Sequence, residues 1–143
     1  MVPRSAFDLS GTAPGGGPAA VRVVGAAGRT LLAFLSVDCL GCEEFWGALR
    51  TPDGLGLTSD VTTVIVTKGP ESVAVDEVAS AASGLIGTSV VMSDRAWTDY
   101  RILGYPFFVV VDGATGMVVG ETVGMGLDDV IGMVASAAAE PAP

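Results

Sequence analysis

The chain has 143 residues, half of them hydrophobic, with 7 basic and 16 acidic side chains and a formal charge of −9. That length suits one domain with a closed hydrophobic core, while the acidity disfavours nucleic acid and anionic membrane surfaces, which need Lys and Arg clusters. Histidine is absent, as are Asn and Gln, which excludes His-based triads and His-ligated metals, and two cysteines cannot alone form a four-thiolate zinc site.

No apolar run approaches the ~18–20 residues that cross a bilayer. Met1-Val2-Pro3-Arg4-Ser5 lacks the apolar core of a secretory signal; it reads either as a native start or as residues left by cloning ahead of a domain from a longer exported protein. Ser10 to Pro18 is rich in Gly and Pro and reads as a loop. The division expected is a flexible segment over residues 1–18 and one domain over residues 19–140.

Ala20 to Val24 reads as a short strand, and Gly25 to Gly28 as the turn into Thr30. Thr30 to Val37 is apolar throughout, the pattern of a strand covered on both faces in a parallel or mixed sheet. Cys42 to Arg50 suits a helix, with Glu43 and Glu44 in its first turn and Pro52 just past its end. Val61 to Thr67 is β-branched and strand-like. Val73 to Ala82 is an Ala-rich helix with Val75, Val78, Ala79 and Ala82 on one face.

Ser89 to Met92 is a short strand, after which Ser93 or Asp94 caps a helix holding Trp97 and Tyr100. Phe107 to Asp112 and Met117 to Val123 form a hairpin around Gly113-Ala114-Thr115-Gly116. Leu127, Val130, Ile131, Val134, Ala135 and Ala138 repeat at helical spacing, with Asp128 and Asp129 at the favourable N-terminal end. Strands alternating with helices, then a hairpin and a last helix, predict an α/β fold with a central mixed sheet and helices on both faces. The segment before Thr30 adds an extra strand or hairpin.

The chemistry concentrates at Cys39-Leu40-Gly41-Cys42, where a buried strand ends and a helix begins. A helix N-terminus directs unpaired N–H groups and partial positive charge at Cys39, favouring the thiolate that attacks disulfides. The spacing lets Cys42 reach back and resolve the resulting mixed disulfide. An inert structural disulfide is the plainer alternative, although so short a loop adds little chain-entropy stabilisation. Asp38, Glu43 and Glu44 bring negative charge and no basic neighbour. Acidic neighbours disfavour a thiolate and oppose the helix terminus, which points to a reductant rather than a strong oxidant. For Glu43 and Glu44, plain support of the helix start is the competing reason for their presence.

Thr30 to Trp46, through Leu31-Leu32-Ala33-Phe34-Leu35-Ser36-Val37-Asp38 and the cysteine pair, resembles the buried strand and active-site helix of the thioredoxin-like superfamily. Gly104-Tyr105-Pro106-Phe107-Phe108 resembles its cis-proline segment. The resemblance implies a cis Tyr105–Pro106 bond beside the cysteines, with Tyr105 and Pro106 pairing with substrate. The N-terminal segment and the added material between Val61 and Val91 are similar to the TlpA, ResA and MauD-like branch. That likeness implies an extracytoplasmic setting, with a membrane tether in the full-length protein.

Three departures stand out. Asp38 replaces the usual Trp before the first cysteine. Gly41 replaces the usual Pro before the second, relaxing the turn. The buried acid that assists proton transfer in thioredoxin falls at Ala33, which cannot titrate, so protons must pass through water or another carboxylate such as Glu43.

The leading reading is a thiol–disulfide oxidoreductase acting on protein substrates. It needs no bound cofactor or metal beyond the Cys39–Cys42 dithiol, it works as a monomer, and an upstream redox partner supplies its electrons. Two alternatives remain: a redox-inactive binding module with a structural disulfide, and a peroxiredoxin-like peroxidase. The latter lacks a Thr-x-x-Cys motif at Cys39.

Overall fold

The computed structural model describes residues 4–51 and 54–139; the readings placed on Met1–Pro3 and on Pro52 fall outside them. In chain order the described elements are β1 (Leu9–Thr12), β2 (Pro18–Val21), β3 (Arg29–Phe34), α1 (Leu40–Leu49), β4 (Val61–Thr67), α2 (Val75–Ala82), β5 (Ser89–Met92), α3 (Asp94–Asp99), β6 (Phe107–Asp112), β7 (Met117–Val123) and α4 (Leu127–Ala139). They build one mixed sheet in the order β2-β1-β5-β4-β3-β6-β7. Strands β3, β4 and β5 run parallel, and β6 pairs antiparallel with β3.

The apolar run of β3 explains its central place. Residues alternate between the two faces of a strand, so Leu31, Ala33 and Leu35 join one core with Phe45 and Trp46 of α1 and Val130 and Val134 of α4. Leu32 and Phe34 join the other, against Trp97 and Tyr100 at the end of α3. All five residues Leu31–Leu35 are 0% exposed. A slip of one residue would exchange these two sets between faces, so the pairing of Ala33 with Ile65 and Phe108 is firmly specified.

The stretch expected as a loop carries β1. Leu9 is buried in the core, and β1 pairs with both β2 and β5, so these residues belong to the sheet, not to a flexible segment. Gly11 permits this approach: a Cβ there would stand 2.1 Å from the Met92 carbonyl oxygen. Asp8 accepts from the Val23 and Val24 N–H groups at 2.7 and 2.8 Å. The Tyr100 hydroxyl accepts from Phe7 N–H at 2.8 Å and donates to Phe7 O at 2.6 Å.

Other boundaries move as well. β3 stops at Phe34 rather than Val37, and β2 covers Pro18–Val21 rather than Ala20–Val24. α1 starts at Leu40, ahead of Cys42, because Cys39 has the extended backbone of an N-cap residue. α2 begins at Val75. Ser93, not Asp94, caps α3, its hydroxyl accepting from Ala96 N–H at 3.1 Å. The buried stripe of α4 runs through Val130 and Val134, whereas Ile131 and Ala135 face outward.

Candidate active site

Chain leaving the central strand forms the site. Leu35 N–H donates to Val66 O at 3.2 Å, and the next residue, Ser36, is tied to α1 twice. Its carbonyl accepts from Trp46 Nε1 at 3.0 Å, and its N–H donates to Cys42 Sγ at 3.4 Å. Cys39 then caps the ten-residue α1 with φ −93° and ψ 122° and no side-chain cap bond. Cys39 is therefore placed at the positive end of the helix, where the Leu40 and Gly41 N–H groups have no backbone partner among the described residues and the Cys42 N–H donates to Cys39 O at 3.0 Å.

The two thiols differ sharply in environment. Cys39 is partly exposed, whereas Cys42, one turn along, is fully buried. Burial pushes the Cys42 thiol up to about 12, helped by its hydrogen bond with Cys39 and by the nearby charges of Cys39 and Asp38. The Ser36 N–H acts in the opposite sense, favouring the thiolate.

The second strand of the site enters before β6. The Tyr105–Pro106 peptide bond is cis, and Gly41 packs against Pro106: a Cβ at Gly41 would stand 3.5 Å from Pro106 Cδ and 3.9 Å from Cys39 Sγ. Cys39, Gly41 and Pro106 thus form one cluster. The Pro106 carbonyl is held by Gly124 N–H at 2.9 Å. The backbone N–H and C=O of Tyr105 have no hydrogen-bond partner among the described residues, and its ring, 49% exposed, stacks edge-on to Trp97 at 5.6 Å. Leu40 at the start of α1, Leu103 shortly before Tyr105 and Met125 after β7 are exposed.

The acidic residues separate into different roles. Asp38 is exposed and accepts from Ser36 Oγ. Glu43 lies in the first turn of α1 and points to solvent. Glu44 does not serve that turn, because its carboxylate accepts from Leu127 N–H at 3.1 Å and caps α4. Ala33 is 0% exposed, so the place of the missing acid is sealed by a methyl group.

Beside Asp38 opens a cleft of about 230 Å3 bordered by Ser36, Lys68, Glu77, Trp97 and Tyr105. Lys68 Nζ lies 4.7 Å from the Trp97 ring centroid. Ser36, Lys68 and Trp97 carried no functional signal in the sequence, because only the sheet brings the ends of β3 and β4 and α3 together. No cluster of three or more potential metal ligands occurs among the described residues.

No protein-family model matches the chain, and no curated protein matches it. Solved structures do. A thioredoxin-family thiol:disulfide interchange protein from Chlorobium tepidum aligns with a TM-score of 0.69 at 23% identity, covering 96% of this chain and 97% of its own. The thioredoxin domain of a thiol-disulfide oxidoreductase from Bacteroides vulgatus gives 0.66 at 18% identity, covering 95% and 97%. A secreted disulfide oxidoreductase from Mycobacterium tuberculosis gives 0.62 at 20% identity, covering 90% and 95%. The chain has the thioredoxin-like fold, and these structural neighbours are thiol:disulfide oxidoreductases.

Proposed function

We propose that this chain is a thiol–disulfide oxidoreductase that acts on cysteines of other proteins. One observation carries the reading: a partly exposed Cys39 at the N-terminus of α1, with Cys42 buried one turn behind it and Pro106 alongside. Cys39 is the attacking thiol, since its sulfur is the accessible one and it stands at the N-terminus of α1. Cys42 resolves. Tyr105 and Pro106 bind the substrate chain, the unpaired backbone groups of Tyr105 being available to an extended segment. The exposed Leu40, Leu103 and Met125 suit a protein rather than a small thiol as partner.

The chain works as a reductant. Asp38 adjoins Cys39, and no basic side chain hydrogen-bonds either sulfur among the described residues. Stabilisation of the reduced form makes a dithiol oxidising, so the lack of a basic partner favours the reducing direction. The dithiol is its own redox centre, recharged by an upstream donor. An extracytoplasmic setting is supported by the secreted neighbour, and no described helix is long and apolar enough to cross a membrane.

The reduced protein should cleave disulfides in a model protein such as insulin. Cys39→Ser should abolish this, and Cys42→Ser should accumulate mixed disulfides. Equal activity in Cys39→Ser would eliminate the reading. A potential near ~−270 mV supports the reducing direction, and one near ~−120 mV reverses it.

A further inference from the structure

Resolution of a mixed disulfide requires Cys42 to lose a proton inside the protein. Cys42 is 0% exposed, so bulk hydroxide reaches it poorly, and Ala33 offers no acceptor. The next carboxylate along the sequence, Glu43, is unsuited. Successive helical residues point ~100° apart, so with Cys42 facing the core Glu43 faces solvent. Glu44 is occupied with Leu127.

Asp38 is differently placed. Ser36 contacts both partners, its N–H donating to Cys42 Sγ at 3.4 Å and its hydroxyl donating to Asp38 Oδ1. Asp38 also borders the open cleft, which has room for water. We propose that the Asp38 carboxylate, positioned by Ser36, receives the Cys42 proton through a water molecule during resolution. This inference rests on the redox reading above.

The step balances. Asp38 carboxylate and Cys42 thiol become Asp38 carboxylic acid and Cys42 thiolate. The thiolate attacks Cys39 Sγ of the mixed disulfide, the Cys39–Cys42 bond forms, and the Cys39–partner bond breaks. Its electron pair leaves with the partner sulfur, which takes up the proton released by Asp38. Once Cys39 is in a mixed disulfide its own charge no longer opposes ionisation of Cys42, leaving Asp38 as the charged group that acts on that sulfur. The other charged or titratable groups bordering the cleft are Lys68 from the end of β4, Glu77 from α2 and Tyr105 before β6. Asp128 and Asp129 of α4 are exposed.

Two roles for Asp38 predict opposite signs. As a bare negative charge it opposes Cys42 ionisation, so Asp38→Asn would hasten resolution. As proton acceptor its loss slows resolution, on the order of 10²-fold for a positioned general base. Reduced protein is mixed in a stopped-flow instrument with excess 5,5′-dithiobis(2-nitrobenzoate). The first chromophore released reports attack by Cys39, and the second reports resolution by Cys42.

Asp38→Asn should slow the second phase at neutral pH and make its rate rise in proportion to hydroxide, while Asp38→Glu restores much of the rate. Ser36→Ala should slow it less. An unchanged or faster second phase in Asp38→Asn overturns the proposal, as does slowing found in Glu43→Gln instead. In either case a normal wild-type second release leaves the redox reading standing. Wild-type protein that never releases a second equivalent removes both.

Discussion

Gly41 faces Pro106 across the site, and a Cβ built on the glycine would stand 3.5 Å from Pro106 Cδ. That is ordinary van der Waals spacing, and Gly41 does not have a positive φ. Gly41→Ala should therefore fit, and it removes the conformational freedom that glycine gives the unfolded chain. A gain of about 0.5–1 kcal/mol follows, or a Tm higher by about 1–4 °C for a chain of this size. A lower Tm in thermal unfolding would show that the added methyl displaces Pro106.

The loop between β3 and α1 depends on Trp46. Its Nε1–H satisfies the Ser36 carbonyl at 3.0 Å, and the indole is buried. Trp46→Phe keeps most of the apolar contact but leaves that carbonyl unpartnered, at a cost of about 1–3 kcal/mol. Thermal unfolding should show a Tm lowered by several degrees. Because Ser36 also donates to Cys42 Sγ, reaction of Cys42 should change in the same variant, and an unaltered rate would disconnect the clamp from the thiol.

Acid should weaken the fold in part through Asp8 and Asp60. Two backbone N–H bonds, from Val23 and Val24, hold the Asp8 carboxyl below its usual range, and the Thr58 hydroxyl and Arg29 do so for Asp60. A depressed carboxyl stabilises the fold above the unfolded value of ~3.9 and loses that contribution as pH falls through the folded value. Tm should thus hold steady from neutral pH to about 5 and fall below about 4. Asp8→Ala should flatten that acid limb, and an identical limb would remove Asp8 from the account.

Much of this architecture is legible in the residues. The unbroken apolar run Leu31–Leu35 announces a doubly covered strand, and β4, β5, β6 and β7 match their β-branched runs to the residue. The cysteine pair declares its chemistry by type and spacing. β1 is not legible in this way because Ser10 and Gly11 carry no strand signal; its partner strands hold it, and Gly11 serves a close approach visible only in three dimensions. Helical spacing alone centres the apolar stripe of α4 too near Ile131 and Ala135, which fit it as well as Met133 and Ala137 do. The pairing of Ser36 with both Cys42 and Asp38 depends on a loop bending back over a helix, which no periodicity encodes.

The contrast between the two sulfurs gives the last prediction. Alkylation requires an accessible thiolate, and Cys42 is fully buried with its thiol pushed up to about 12. Iodoacetamide at about pH 8 should therefore modify reduced protein once, at Cys39, with Cys42 reacting only after denaturation; peptide mass spectrometry locates the label. The raised value also fixes how stability varies with pH. A thiol held protonated by folding stabilises the reduced form fully below the unfolded value of ~8.5, and loses that contribution as pH rises toward about 12. Tyr100 is likewise pushed up to about 12 by burial, but it is present in both redox forms and cancels in their difference. The Tm of the reduced protein should fall relative to the oxidised protein above about pH 9. Parallel curves, or first labelling at Cys42, would mean that the buried sulfur has been assigned to the wrong cysteine.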